Sequence, residues 1–216
     1  MEFRSWGKTP RLFRDIVITE KIDGTNSAII FEDVTLMDVD LIPSDELIVR
    51  GDSLYRVGAQ SKNRLIYPGK TTDNFGFAAW VKKNAEVLFD TLGPGYHFGE
   101  WWGKGIQKRY GDLDYRVFSL FNTSKHEDTF LRTQTHEGLE VMVERVPVLY
   151  EGEFSEEAIH MVAQELLKNG SVAVPFHPNP EGLAIYHTQS KQVYKFTFDN
   201  NDKGKWEYDG SVPTQD

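Results

Sequence analysis

The chain has 216 residues with 39% hydrophobic and 13% aromatic side chains, enough to bury a core, and one domain spanning residues 1–216 is the simplest division. Charged residues are an ordinary 26%, which excludes general disorder, and the absence of cysteine excludes disulfides, thiol catalysis and thiolate metal sites. The formal charge of −9, from 24 Lys and Arg against 33 Asp and Glu, argues against sequence-blind coating of nucleic acid.

In chain order, Met1–Trp6 lacks the apolar stretch of a signal peptide, and no run approaches the ~20 apolar residues of a membrane span. A cytoplasmic protein without membrane partners is expected. Arg4, Lys8, Arg11 and Arg14 make a small basic cluster against Glu2. Asp15–Glu20 and Ser27–Phe31 read as strands around the turn Lys21-Ile22-Asp23-Gly24-Thr25-Asn26. Leu47–Arg50 follows as a strand. A helix is predicted over about residues 73–92, with Phe77, Val81, Ala85, Leu88 and Phe89 facing the core and Gly93-Pro94-Gly95 ending it. Tyr96–Glu100, Arg116–Phe121 and Glu140–Val148 read as further strands. Ser155 is the expected N-cap of a second helix, with Glu156 and Glu157 in its first turn. Ile159, Val162, Ala163, Leu166 and Leu167 form its apolar stripe, and Gly170 follows its end. Leu183–His187 and Gln192–Phe198 are the last clear strands, with a turn at residues 200–204 and a return strand holding Trp206 and Tyr208. Many strands and few helices indicate an α+β chain built on antiparallel sheets.

The charge is uneven. Between Arg50 and Tyr110 there are 10 basic and 5 acidic residues, so a basic face exists on an acidic chain. The six histidines show no H-x-x-x-H spacing, and neither a P-loop nor G-x-S-x-G occurs. The informative segment is the turn at 21–26. A lysine at a strand end beside Asp-Gly is well placed as a covalent nucleophile, provided desolvation or a nearby cation removes its proton. The same three-residue pattern also describes a surface lysine beside a tight turn, which the glycine permits.

Lys21-Ile22-Asp23-Gly24 resembles the K-x-D-G nucleophile motif of the covalent nucleotidyltransferases, which include DNA ligases, RNA ligases and capping enzymes. Further segments resemble that superfamily's motifs in order: Ser61-Lys62-Asn63-Arg64, Phe98-Gly99-Glu100-Trp101, Tyr115-Arg116-Val117-Phe118-Ser119, Glu181-Gly182-Leu183-Ala184-Ile185 and Val193-Tyr194-Lys195-Phe196. Gly24-Thr25-Asn26 and the opening Trp6–Leu12 are most similar to ATP-dependent RNA ligases.

The resemblance implies an α+β nucleotidyltransferase (ATP-grasp-like ligase) fold, with antiparallel sheets flanked by helices; only Asp199–Asp216 follows the last motif, so no OB-fold domain is expected. It implies an enzyme that uses ATP and Mg²⁺ or Mn²⁺. Lys21 would form lysyl-AMP, AMP would pass to an RNA 5′-phosphate, and a 3′-hydroxyl would attack the activated end or nick, as in RNA repair. Lys195 would hold the α-phosphate. Asp23 and Glu181 would hold the metal. Glu100 would accept from a ribose hydroxyl, Phe118 would stack on adenine, Glu20 would accept from its amino group, and Asn26 would position phosphate or the 3′ end. Lys62 or Arg64 would supply the second-motif cation. The last motif has Thr197 where a second lysine is usual. A groove of Lys104, Lys108 and Arg109 with Trp101, Trp102 and Tyr110 is a candidate RNA contact. A minimal DNA ligase and a non-catalytic nucleotide- or RNA-binding module are the alternatives.

Overall fold

The structure is a computed structural model and describes residues 1–134 and 140–199. Its strands in chain order are β1 (Asp15–Lys21), β2 (Thr25–Asp33), β3 (Leu47–Arg50), β4 (Ser53–Ser61), β5 (Leu65–Ile66) and β6 (Gly95–Gly103). They continue with β7 (Arg116–Leu120), β8 (Phe130–Gln134), β9 (Glu140–Arg145), β10 (Val148–Glu153), β11 (Gly182–His187) and β12 (Gln192–Thr197). The helices are α1 (Phe77–Lys83), α2 (Ala85–Leu92) and α3 (Glu156–Asn169). The described residues therefore form a mixed α/β architecture, mostly sheet with three helices. Two compact units are distinguished: Met1–Ile22 with Pro147–Asp216, and Asp23–Val146.

The first unit holds an antiparallel sheet in the order β10-β1-β11-β12. Alternation along β1 buries Ile16, Ile18 and Glu20 on one face and leaves Val17, Thr19 and Lys21 partly exposed on the other. α3 supplies Val162, Ala163 and Leu166 to the core of Ile16, Ile18, Leu183 and Ile185. Each buried Val, Leu or Ile among them contributes roughly 1.5–3 kcal/mol. The N-cap is the expected one: the Ser155 hydroxyl accepts from the Ala158 N–H at 3.2 Å. Gly170, with φ 81°, follows the last turn. Leu167, read as part of the apolar stripe, remains 43% exposed.

The second unit holds an eight-stranded sheet in the order β3-β4-β2-β6-β7-β9-β8, with β5 beside β4. Its pairs are antiparallel except β7 with β9. Ile29, Phe31, Trp101 and Phe118 meet Phe77, Val81, Leu88 and Phe89 of α1 and α2 in the larger core. The helix expected over residues 73–92 is in fact two. Asn84 ends α1, and its side-chain amide donates to the Trp80 carbonyl at 2.8 Å, competing with the helical ladder. Asp73 serves the start of α1, accepting from the Ala78 and Ala79 N–H groups at 2.8 and 3.0 Å. The strand expected over 140–148 is likewise two, β9 and β10, which join different sheets. Pro147 separates them and cannot donate to a ladder. The turn at residues 200–204 and the strand with Trp206 and Tyr208 lie outside the described residues.

Candidate active site

Lys21 is the last residue of β1. Register places it across from Gly182 on β11, which in turn faces Thr197 on β12. Thr19 faces Ala184, which faces Lys195. Directly paired residues and their i+2 neighbours share a face, so Lys21 and Lys195 project from the same side of the sheet, opposite α3. Gly182 keeps the strands close between them. Its φ is 151°, and a Cβ there would run into the Phe196 carbonyl and the Thr197 Cα. The residue before it, Glu181, takes the Lys21 ammonium in an ion pair through Oε1. The other oxygen, Oε2, is buried without a hydrogen-bond partner.

That orphaned oxygen suits a divalent cation. Among the described residues no cluster of three or more His, Asp or Glu could hold a metal by protein ligands alone. A cation at Glu181 would therefore complete its shell with water and phosphate, the usual habit of Mg²⁺.

Glu20, one residue earlier, points the other way. It is 1% exposed. Its Oε1 accepts from the Ser171 hydroxyl at 2.6 Å, and its Oε2 accepts from the Val172 and Ala173 N–H groups at 2.8 and 2.9 Å. The expectation that Glu20 reads an adenine amino group is corrected on this geometry. The carboxylate lies on the core face and is saturated by the loop that follows α3. Ser171, the partner that sequence reasoning missed, stands 151 residues away, and no local pattern announces it.

In the second unit the residues after the nucleophile motif are fixed by β6. Gly24 is needed for close approach rather than for a left-handed turn. A Cβ there would lie 2.6 Å from the Trp101 carbonyl oxygen and 2.8 Å from the Trp102 Cβ. Thr25 Oγ1 accepts from the Asn74 amide at 2.7 Å. Asn26 donates to Glu100 Oε2 at 2.8 Å across the β2–β6 pair. β2 meets β4 at Ser27–Ser61, so the exposed turn bearing Lys62 and Arg64 begins at the same end of the sheet. Ser61 closes that turn by donating to the Arg64 carbonyl at 2.9 Å. Asp23 Oδ2 accepts from the Arg109 N–H at 3.4 Å. The sheet thus gathers Asn26, Glu100, Lys62 and Arg64 at one end.

It does not bring Phe118 to Glu100. Phe118 pairs with Trp101, one residue out of phase with the Glu100–Ser119 pair, and so faces α1. It has no exposed surface and packs 5.1 Å, centroid to centroid, from Phe77. Phe118 is therefore a core residue and is not available to stack on adenine. Trp101, Trp102 and Tyr110 are also buried, and Trp102 and Tyr110 pack on each other at 5.2 Å. The aromatic half of the expected basic groove belongs to the core, and only the exposed Lys104 and Lys108 and the half-buried Arg109 remain at the surface.

The chain matches the family model for RNA ligases over residues 14–202 and belongs to that family. No curated protein matches it. Among solved structures it is similar to an RNA ligase of Naegleria gruberi. A mutant of that ligase with ATP and Mn shares 16% identity, with 85% of this chain and 50% of that chain covered and a TM-score of 0.51. The same ligase with PPi gives 17% identity, 85% and 49% coverage, and a TM-score of 0.47. Another mutant, with AMP and Mn, gives 16% identity, the same coverages and a TM-score of 0.48. At this identity the first likeness speaks for the fold alone. The chain spans about half the length of these ligases.

Proposed function

We propose that this chain is an ATP-dependent RNA ligase with a nucleotidyltransferase fold, acting as one adenylation domain over residues 1–216. The observation that carries the reading is the Lys21–Glu181 pair at the mouth of β1 and β11, with Lys195 on the same face. Lys21 Nζ, once deprotonated, attacks the α-phosphorus of ATP. A P–N bond forms, the P–O bond to the β-phosphate breaks, and pyrophosphate leaves with the electron pair. A 5′-phosphate oxygen of RNA then displaces Lys21, and the 3′-hydroxyl displaces AMP. Lys195 neutralises the α-phosphate, which is what phosphoryl transfer chiefly asks of a protein. Glu181 would hold a divalent cation through its unpartnered oxygen, with Asp23 the other candidate ligand that the nucleophile motif offers, and the cation would supply charge neutralisation at the triphosphate. Glu100 accepts from the ribose, oriented by Asn26. Lys62 or Arg64 contacts phosphate. The substrates are RNA 5′-phosphate and 3′-hydroxyl ends or nicks, as in RNA repair.

The test is joining of a 5′-phosphorylated RNA to a 3′-hydroxyl strand across an RNA or DNA template, with ATP and Mg²⁺. Sealed RNA is expected. Preferential sealing of an all-DNA nick would replace the reading by a minimal DNA ligase. Stoichiometric ATP binding without pyrophosphate release would replace it by a binding module.

A further inference from the structure

The turn from Val174 to His177 displays an aromatic ring, Phe176, to solvent. The His177 N–H donates to the Val174 carbonyl at 3.0 Å, closing a four-residue turn. Pro175 occupies its second position, where the ring sets φ near −65°. Phe176 occupies the third, with φ 71°. This combination defines a type II turn, whose third position ordinarily goes to glycine. A bulky residue in that conformation is strained. Its side chain is 96% exposed, so burial returns nothing for the strain.

The loop that carries this ring is held firmly. Ser171 donates its N–H to the His177 carbonyl at 2.9 Å. Pro175, Pro178 and Pro180 stiffen the segment. Its start is fixed by Glu20, through Ser171, Val172 and Ala173, and its end by Lys21, through Glu181. Both ends of the loop are therefore tied to consecutive residues of the strand that ends in Lys21. A solvent-facing ring on a stiffened backbone has few torsions to order on binding, and every base offers a π face to it.

We infer that Phe176 is a stacking platform for a nucleobase, a substrate-positioning residue that deepens, and rests on, the ligase reading. The base is the adenine of ATP or a base of the RNA strand, and the two are separated by measurement. The full chain, Phe176→Gly and Phe176→Trp are compared by equilibrium Kd for Mg-ATP, by equilibrium Kd for a 5′-phosphorylated RNA, and by thermal unfolding. Phe176→Gly is expected to raise Tm, because glycine relieves the positive φ. It is also expected to weaken one ligand by about 5- to 150-fold, the usual worth of one stacked base. Phe176→Trp restores the affinity. A change confined to ATP identifies adenine, and one confined to RNA identifies an RNA base. Both affinities within two-fold of wild type in Phe176→Gly would overturn the assignment. So would losses that Phe176→Trp does not rescue. These are binding measurements, so they hold whether or not the wild type transfers AMP. Self-adenylation of the wild type tests the ligase reading separately.

Discussion

The two faces of the four-stranded sheet divide labour between neighbouring residues. On one face Lys21 and Lys195 stand beside the narrow Gly182, with Glu181 paired to the amine. On the other, Glu20 joins Ile16 and Ile18 in the core, its carboxylate saturated by a loop. A strand turns successive side chains to opposite sides, so adjacent charged residues can hold unrelated tasks. Position in a motif does not by itself place a side chain in a site.

Substitutions can break that division. Lys21→Ala should abolish AMP transfer, by at least about four orders of magnitude, while leaving thermal stability close to wild type. Radiolabel counting and a melting curve on the same sample check both halves. Phe118→Ala, in the larger core, should do the reverse. It is expected to cost about 3–5 kcal/mol of stability, read from the urea midpoint. Weakened ATP binding in a variant that keeps its stability would return Phe118 to the site. Glu20→Ala strands a hydroxyl and two N–H groups and should cost about 2–4 kcal/mol. Glu181→Gln keeps the shape but removes the charge, and should slow adenylation about 10- to 100-fold with little loss of stability. A loss of stability larger than that of Glu20→Ala would overturn the division between the faces.

The smallest expected effect lies in the second unit and is pH-dependent. His97 is buried, with Nε2 donating to the Gly93 carbonyl at 2.9 Å, and Nδ1 has no partner. Burial lowers its pKa from 6.5 to about 4, opposed in part by the Gly93 bond and aided by Lys125 and His126. Between those values the unfolded chain binds the extra proton, so stability falls as pH drops from 6.5 towards 4. The gap bounds the loss at about 3 kcal/mol, and solvent screening reduces it to on the order of 1–2 kcal/mol. Urea midpoints at pH 7 and 4.5 should differ less in His97→Gln than in wild type.

Local signals made part of this legible. Ser155 and Gly170 bound α3 as expected, Leu47–Arg50 is a strand over those same residues, and Lys21 closes its strand. The order of motifs led to the right family. Long-range facts were not legible. β4 was missed although Tyr55, Val57 and Ala59 alternate with Arg56, Gly58 and Gln60, because Gly58 and Ala59 are poor strand formers and weaken that period-2 signal. Phe118 and Glu20 carry motif positions, yet their faces are set by Phe77 and Ser171, far away in the chain. Gly24 looked like a turn residue and is a close-approach residue, a distinction only β6 reveals.

The most direct test of the central claim is to incubate the full chain with α-labelled ATP and Mg²⁺, denature it, and map the label by peptide mass spectrometry. The expected result is AMP on Lys21, lost in Lys21→Ala. Label retained in that variant, or none on wild-type protein shown not to be adenylated beforehand, would contradict the account.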